Sequence, residues 1–561
     1  MKIKKTERIF TPVNSVGEFL NVLNGHGDKT LYRWLDGNTY KSNTYTEFYD
    51  LVISIAKGFQ NAGLAGKRIA VIGETSVEWV ASYIATLATG GVVIPMDKEL
   101  DVSAIEGFLE TAEAEAIVYS KSFNAKLAPL AETHPTVKKL IPMDSTVTPA
   151  EKILPLEILI ENGKGEEFAI SQRPTDELAV MLFTSGTTGT SKCVMLCERN
   201  VWSTVNAACA TVEFFREDTI VSVLPLHHTY ELACMLAALT YGMEVGINDS
   251  LRHIMKNFAE FKPTGLVLVP LFFNTMYNRI IETAKKKGKL GLLRFMMKVS
   301  NALRHVGIDL RRKLFKDVLG AFGGDIRKIV SGGAPLNPQM MKEFDAFGIT
   351  IAEGYGITEC SPLISVNPYY ALKSGSVGPA VPSCTVRIDS RGTNDKGFDE
   401  GEIQVKGDNV MLGYYKNDEE NAKAFTEDGW YRTGDIGYMD GDGYIFITGR
   451  LKSVIVLENG KNVFPEEIEE YLEKIEEVGE VVVVGRKAED GETVELTAIV
   501  YPKPEIYGET PDKEKAYADI RAKIIDLNRH LPSFKKIKEL EIRETPFEKT
   551  TSRKIKRHLV K

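Results

Sequence analysis

Nine residues, Thr184 to Lys192 with the sequence TSGTTGTSK, follow directly on the apolar segment Leu178 to Phe183. Glycine lets backbone approach a ligand closely, serine and threonine add hydroxyl donors, and a lysine closes the run with a cation, which together describe a polyphosphate cradle. The spacing is not that of a Walker loop. That loop needs GxxxxGK followed by Ser or Thr, whereas Gly186, Gly189 and Lys192 fall at intervals of three. The common kinase and ATPase families are therefore poor first readings. Taken alone, the run also suits a solvated Gly/Ser/Thr loop between periodic segments.

Four further clusters stand in series behind it. SGGAPL, Ser331 to Leu336, follows a predicted strand, and its paired glycines let a flat ring lie against bare backbone. EGYGITE, Glu353 to Glu359, supplies an aromatic face, a hydroxyl and a carboxylate within a few residues of one another. YRTGDIG, Tyr431 to Gly437, offers one Asp in a glycine turn, a good acceptor for ribose hydroxyls. GRLK, Gly449 to Lys452, sits where the texture of the chain changes.

Elements able to position these clusters are legible. Short β-branched runs recur between amphipathic stretches: Arg68 to Gly73, Gly91 to Pro95, Ala116 to Tyr119, Leu178 to Phe183, Ile220 to Leu224, Gly265 to Pro270 and Ile326 to Ser331. Such alternation predicts βαβ units and parallel sheets, with ligands at the carboxyl ends of the strands. From about Gly375 to Gly449 the turns crowd together, which predicts antiparallel strands. Beyond Gly449, PEEIEEYLEKIEEV from Pro465 to Val478 reads as a helix with Pro in its first turn. Glu480 to Gly485 and Val494 to Tyr501 read as strands and Asp512 to Leu527 as a second helix, together a small α+β unit.

A chain of 561 residues exceeds what one hydrophobic core normally serves, so at least two domains are expected. Its 43% hydrophobic and 26% charged residues are those of an ordinary globular enzyme. The net charge of −8 argues against general nucleic-acid affinity. Six cysteines, at 193, 197, 209, 234, 360 and 384, show no paired-ligand spacing, so reduced thiols in a cytosol are the simplest reading. MKIKKTERIF lacks a following apolar region, and no run approaches the length of a bilayer span. A cytoplasmic protein is expected.

With its five motifs in this order, the chain resembles the adenylate-forming superfamily of acyl-CoA synthetases, peptide-synthetase adenylation domains and luciferases, from about residue 15 to Lys556. The resemblance implies an α/β fold: a large N-terminal domain, 1–449, of two doubly wound subdomains plus a small β-barrel at about 375–449. A small mobile α+β domain, 450–561, would follow a hinge near Lys452. It also implies that Thr184, Ser185, Gly186, Thr187, Thr188, Gly189 and Lys192 hold the ATP phosphates. Gly332, Gly333, Ala334, Tyr355 and Gly356 would line adenine, Thr358 would meet the α-phosphate, and Glu359 with Thr184 would hold Mg²⁺. Asp435, assisted by Arg450, would take the ribose hydroxyls, and Lys554 would serve the adenylation step.

The implied chemistry has two halves. A carboxylate attacks the α-phosphorus of ATP, which demands cations and donors that strengthen as charge develops. The thiol of coenzyme A then displaces AMP from the acyl-adenylate. Departures from the family pattern are Arg553 where a glycine is usual, Ser191 and Cys193 flanking Lys192, and Val456 with the extended LENGKN turn, so no base for thiol attack is assigned. The resemblance sets Gly460 to Val463 beside the pantetheine channel.

LPLHHTYE, Leu224 to Glu231, matches the segment whose histidine lies by the substrate carboxylate, His228 by alignment on Pro225. His227, or a packing role for both, is the alternative. Leu232 to Leu239 and the GLVLVPLFF strand suit either an alkyl tunnel or ordinary core. The insertion between Phe273 and Gly324 resembles long-chain fatty acyl-CoA synthetases. Within it, 285–316 is basic with apolar residues at helical spacing, suiting either an anionic membrane surface or a helix packed on its own domain. An AMP-forming long-chain fatty acid–CoA ligase is expected. An acyl carrier protein ligase and a non-catalytic acyl-nucleotide sensor are the alternatives.

Overall fold

A computed structural model describes residues 10–184, 191–250, 252–457, 462–487, 494–508, 510–549 and 555–560. These form two compact units: 10–184, 191–386 and 405–431 in the first, 387–404 and 432 onward in the second.

The first unit is built on two sheets. One has seven strands in the order Gly413–Tyr414, Lys192–Cys197, Leu178–Thr184, Val92–Met96, Arg68–Ile72, Ala116–Tyr119, Lys139–Pro142. It is parallel from Leu178–Thr184 onward and antiparallel at its other edge. The other has eight, in the order Leu363–Val366, Thr350–Gly356, Lys328–Ser331, Gly265–Leu268, Thr219–Ser222, Glu244–Ile247, Thr30–Asp36, Thr39–Thr44. Its centre is parallel and its two outer pairs are antiparallel. The strands expected from the β-branched runs are all present, because buried parallel strands read as near-continuous apolar segments.

Helices cover these sheets, and their starts are written locally. Ser76 accepts the N–H of Trp79 at 3.1 Å to open Val77–Ala88. Thr44 and Glu47 close a reciprocal capping box on Tyr45–Asn61. Val77–Ala88 and Thr229–Tyr241 are buried almost all round, as helices inside the core of a large unit must be.

Two expected elements differ. GLVLVPLFF is not one strand: it is the strand Gly265–Leu268, and Pro270 then opens the helix Pro270–Lys286, where its missing N–H costs nothing. In the second unit the helix expected over Pro465 to Val478 stops at Leu472, and Val478 already opens the strand Val478–Lys487. The β-branched run that follows Val478 wins over the helical acid pattern before it.

The second unit carries a four-stranded sheet in the order Cys384–Thr393, Asp399–Gly407, Tyr431–Met439, Ile445–Arg450, and a three-stranded sheet, Val478–Lys487, Val494–Pro502, Ile537–Ile542, backed by Pro465–Leu472 and Lys513–Asn528. Gly449 permits the approach of Phe464: a Cβ there would lie 2.6 Å from the ring. No helix among the described residues is long and apolar enough to cross a membrane.

Candidate functional site

Thr184 ends one strand of the seven-stranded sheet and Lys192 begins the next, opposite it in register. The hydroxyl of Thr184 donates to the Lys192 carbonyl at 3.4 Å. Ser185, Gly186, Thr187, Thr188 and Gly189 lie outside the described residues. The Lys192 ammonium pairs with Glu420 and rests 4.8 Å from the ring centroid of Tyr414. That tyrosine donates its hydroxyl to Glu359 Oε1 at 2.9 Å. Thr184, Lys192 and Glu359, far apart in sequence, are thereby gathered at one edge of this sheet.

Thr358 and Glu359 occupy a short 3₁₀ turn, Thr358–Cys360, after the strand that contains Tyr355 and Gly356. Tyr355 is buried. A Cβ on Gly356 would lie 2.1 Å from the carbonyl oxygen of Pro362, so no other residue fits without moving backbone. Gly356→Ala is expected to lower the melting temperature of the first unit by a few degrees, for about 2 kcal/mol of overpacking. A thermal melt followed by circular dichroism checks this.

The Gly332 to Ala334 loop leaves the carboxyl end of Lys328–Ser331. A Cβ on Gly332 would meet the Tyr230 ring at 3.0 Å, while Gly333, at φ +83, has only Val269 nearby at 3.6 Å. Glu353, buried, accepts the N–H of Leu336 at 3.0 Å and so closes this loop. His227 and His228 follow Thr219–Ser222, with ring centroids 4.0 Å apart. His228 directly precedes Thr229–Tyr241 without a side-chain cap, and His227 faces Asp97 at 3.4 Å. Burial, then His228, holds His227 well below the usual imidazole range against the pull of Asp97. Leu232, Met235, Leu236 and Leu239 are core. Leu232 and Leu236 border a narrow apolar crevice with Tyr83, Val180 and Leu182.

In the second unit Asp435 and Arg450 face each other across Tyr431–Met439 and Ile445–Arg450, with Arg450 Nε 3.0 Å from Asp435 Oδ1. Asp435 is buried and Arg450 half exposed. Lys452 lies in the short turn Leu451–Ser453, its side chain outside the described residues, as are Gly460 and Lys554.

Sequence reasoning missed Tyr414, Glu420 and Glu353. GYYKNDEE carries the first two, yet only the pairing of Gly413–Tyr414 with Lys192–Cys197 brings them to Lys192. Among the described residues no group of three His, Cys, Asp or Glu could hold a metal ion. One carboxylate and one hydroxyl suit a hard divalent cation that arrives on phosphates and keeps most of its ligands from them.

The profile described as AMP-binding enzyme matches residues 19–415, and that described as AMP-binding enzyme C-terminal domain matches 452–561. The chain belongs to the AMP-binding enzyme family. It is 30% identical over 481 residues to the long-chain-fatty-acid–CoA ligase FadD15 of Mycobacterium bovis, covering 82% of this chain and 78% of that one. It is 30% identical to long-chain-fatty-acid–CoA ligase 1 of Homo sapiens, covering 84% and 70%. Among solved structures, ATP-bound MatB from Rhodopseudomonas palustris superposes with a TM-score of 0.74 at 26% identity, covering 96% of this chain and 98% of that one.

Proposed function

We propose that this protein activates a long-chain fatty acid with ATP to acyl-AMP, releasing pyrophosphate, and then passes the acyl group to the thiol of coenzyme A. It is an AMP-forming acid–thiol ligase. The observation that carries the reading is the gathering of Thr184, Lys192 and Glu359 at one sheet edge, in a chain of this family.

In the first half-reaction the fatty carboxylate attacks the α-phosphorus, and two anions must meet. Lys192 and the phosphate loop take the triphosphate, Thr358 takes the α-phosphate, and Lys554 attends the attacking oxygen and the departing bridge. Glu359 and Thr184 would hold Mg²⁺, which would supply charge to neutralise phosphate oxygens and polarise the reacting phosphorus. Asp435 takes the ribose hydroxyls with Arg450 beside it, and the Gly332 to Ala334 loop with Tyr355 and Gly356 borders adenine. In the second half-reaction the thiol attacks the mixed anhydride, AMP leaves, and the domain from about residue 450 turns about Lys452 to admit it. His228 lies by the substrate carboxylate.

Pyrophosphate exchange dependent on myristate, palmitate or stearate is the expected result, with weaker exchange on acetate or an aryl acid. No exchange with any fatty acid would overturn the reading. Replacing coenzyme A by an acyl carrier protein in the coupled assay separates the carrier ligase, and ATP binding without turnover would mark a sensor.

A peripheral contact with anionic membrane belongs to the same reading. In Leu290–His305 one side packs towards Pro338–Phe347 through Arg304 and Asp345. Leu292, Phe295 and Val299, at helical spacing, stay exposed, Phe295 by 62%. Arg304 and Arg311 are engaged with Asp345, so attraction to lipid rests on the lysines and arginine of 285–298, each worth about 1 kcal/mol near an anionic surface. The protein is expected to sediment with phosphatidylglycerol vesicles and not with phosphatidylcholine, and Phe295→Ser to weaken that several-fold. Equal recovery with both lipids would refute the contact.

A further inference from the structure

The edge strand Gly413–Tyr414 is short, yet its tyrosine is tied down on every side. Asn421 clamps its backbone, accepting the Tyr414 N–H at 2.7 Å and donating to the Tyr414 carbonyl at 2.9 Å. Asn421 sits in Asp418–Ala424, the helix that also carries Glu420, whose N–H is capped by Asn417 at 3.2 Å. The side chain of Tyr414 is buried. One ring therefore has its backbone fixed, its face under the Lys192 ammonium and its hydroxyl on Glu359. Glu420 supplies the counter-charge that seats Lys192 on the ring, where a cation is attracted by the negative π-face.

We infer that Tyr414 is a positioning residue that sets the separation between the phosphate-binding cation Lys192 and the metal-binding carboxylate Glu359, one held on its ring and the other on its hydroxyl. The inference rests on the roles given above to those two residues. It predicts that the two functions of the ring are separable. Removing the hydroxyl loosens Glu359 and otherwise gives up only the longer, 3.4 Å contact with the Tyr431 hydroxyl, so magnesium-bound nucleotide suffers and free nucleotide does not. Removing the ring as well also releases Lys192, and both forms suffer.

Calorimetric titration of the full-length protein with a non-hydrolysable ATP analogue, with excess Mg²⁺ and separately with EDTA, reads this without turnover. Tyr414→Phe is expected to weaken the magnesium-bound analogue about tenfold, as the loss of one charge-assisted hydrogen bond does, and the free analogue less than about twofold. Tyr414→Leu is expected to weaken both by about fivefold or more. A merely structural tyrosine would weaken both forms equally in Tyr414→Phe, alongside a lowered melting temperature, and that outcome overturns the inference. So does an unchanged affinity in both. Should Tyr414→Phe not fold, Asn421→Ala, which loosens the clamp and leaves ring and hydroxyl in place, must give a loss with Mg²⁺, and no loss refutes the role. Glu359→Gln distinguishes the layers. If it binds both forms as wild type does, the reading of Glu359 itself fails; if it loses the gain from Mg²⁺ while Tyr414→Phe keeps it, only the role of Tyr414 fails.

Discussion

Lys554→Ala is expected to slow palmitate-dependent pyrophosphate exchange by about 10²–10³, while thioester formation from preformed palmitoyl-adenylate and coenzyme A stays within about threefold of wild type. The asymmetry follows from where charge develops. In adenylation a carboxylate meets a phosphate and negative charge builds on the attacking and bridging oxygens, so one ammonium aimed there counts heavily. In thioester formation the leaving group is AMP and the nucleophile is sulfur, and that ammonium is not needed. The flanks of Lys554 are held firmly on the second unit. Glu480 accepts the N–H of Phe547 at 2.9 Å and the ammonium of Lys549 at 2.5 Å, and Arg557 pairs with Glu469. Lys549 and Ile555 meet in an antiparallel bridge on either side of it. Equal loss in both half-reactions would assign Lys554 to folding or general nucleotide binding, and no loss in either would remove it from the chemistry.

Much of the fold was legible because parallel strands buried on both faces announce themselves as apolar runs, and Leu178–Thr184 or Ala116–Tyr119 need no tertiary information to be found. The strand Thr39–Thr44 escaped for the opposite reason. It is an edge strand with a largely exposed, polar sequence, TYKSNT, and pairing with Thr30–Asp36 makes it a strand. The end of the helix at Leu472 was equally hidden, since EKIEEV has helical periodicity and only the sheet formed by Val478–Lys487 decides against it. Of the site, Thr184, Lys192 and Glu359 were readable as types in motifs, and their proximity only as what the family resemblance implies. Tyr414 and Glu420 carried no signal of their own because a tyrosine after glycine and a glutamate in an acidic helix are ordinary surface text. Their importance comes from a two-residue strand pairing with Lys192–Cys197. Lys192 and Glu359 were separately identifiable, and the ring that joins them was visible only in three dimensions.

Glu231→Gln is expected to stabilise the protein at alkaline pH and to do little at pH 5. Glu231 sits in the first turn of Thr229–Tyr241, buried, with the Ser222 hydroxyl donating to its Oε1 at 2.5 Å. Burial pushes its carboxyl from the ordinary 4.5 up to about 8, outweighing the opposing pull of Ser222 and of the Val223 backbone. Between those two values the folded protein holds a proton on Glu231 that the unfolded chain has released. The unfolded state binds fewer protons, so stability falls as pH rises through this window, at no more than about 1.4 kcal/mol per pH unit, and levels off above it. Glutamine keeps the shape and still accepts from Ser222, but has no proton to lose. The difference in melting temperature between variant and wild type should therefore be near zero at pH 5 and grow to several degrees by pH 8.5. Glu469, in the second unit, is pushed up to about 7 by burial against the pull of Arg557, and it contributes a pH slope of the same sign. That slope is common to both proteins and cancels in the difference, so melting curves that stay parallel from pH 5 to 8.5 would mean that Glu231 is ionised in the folded state.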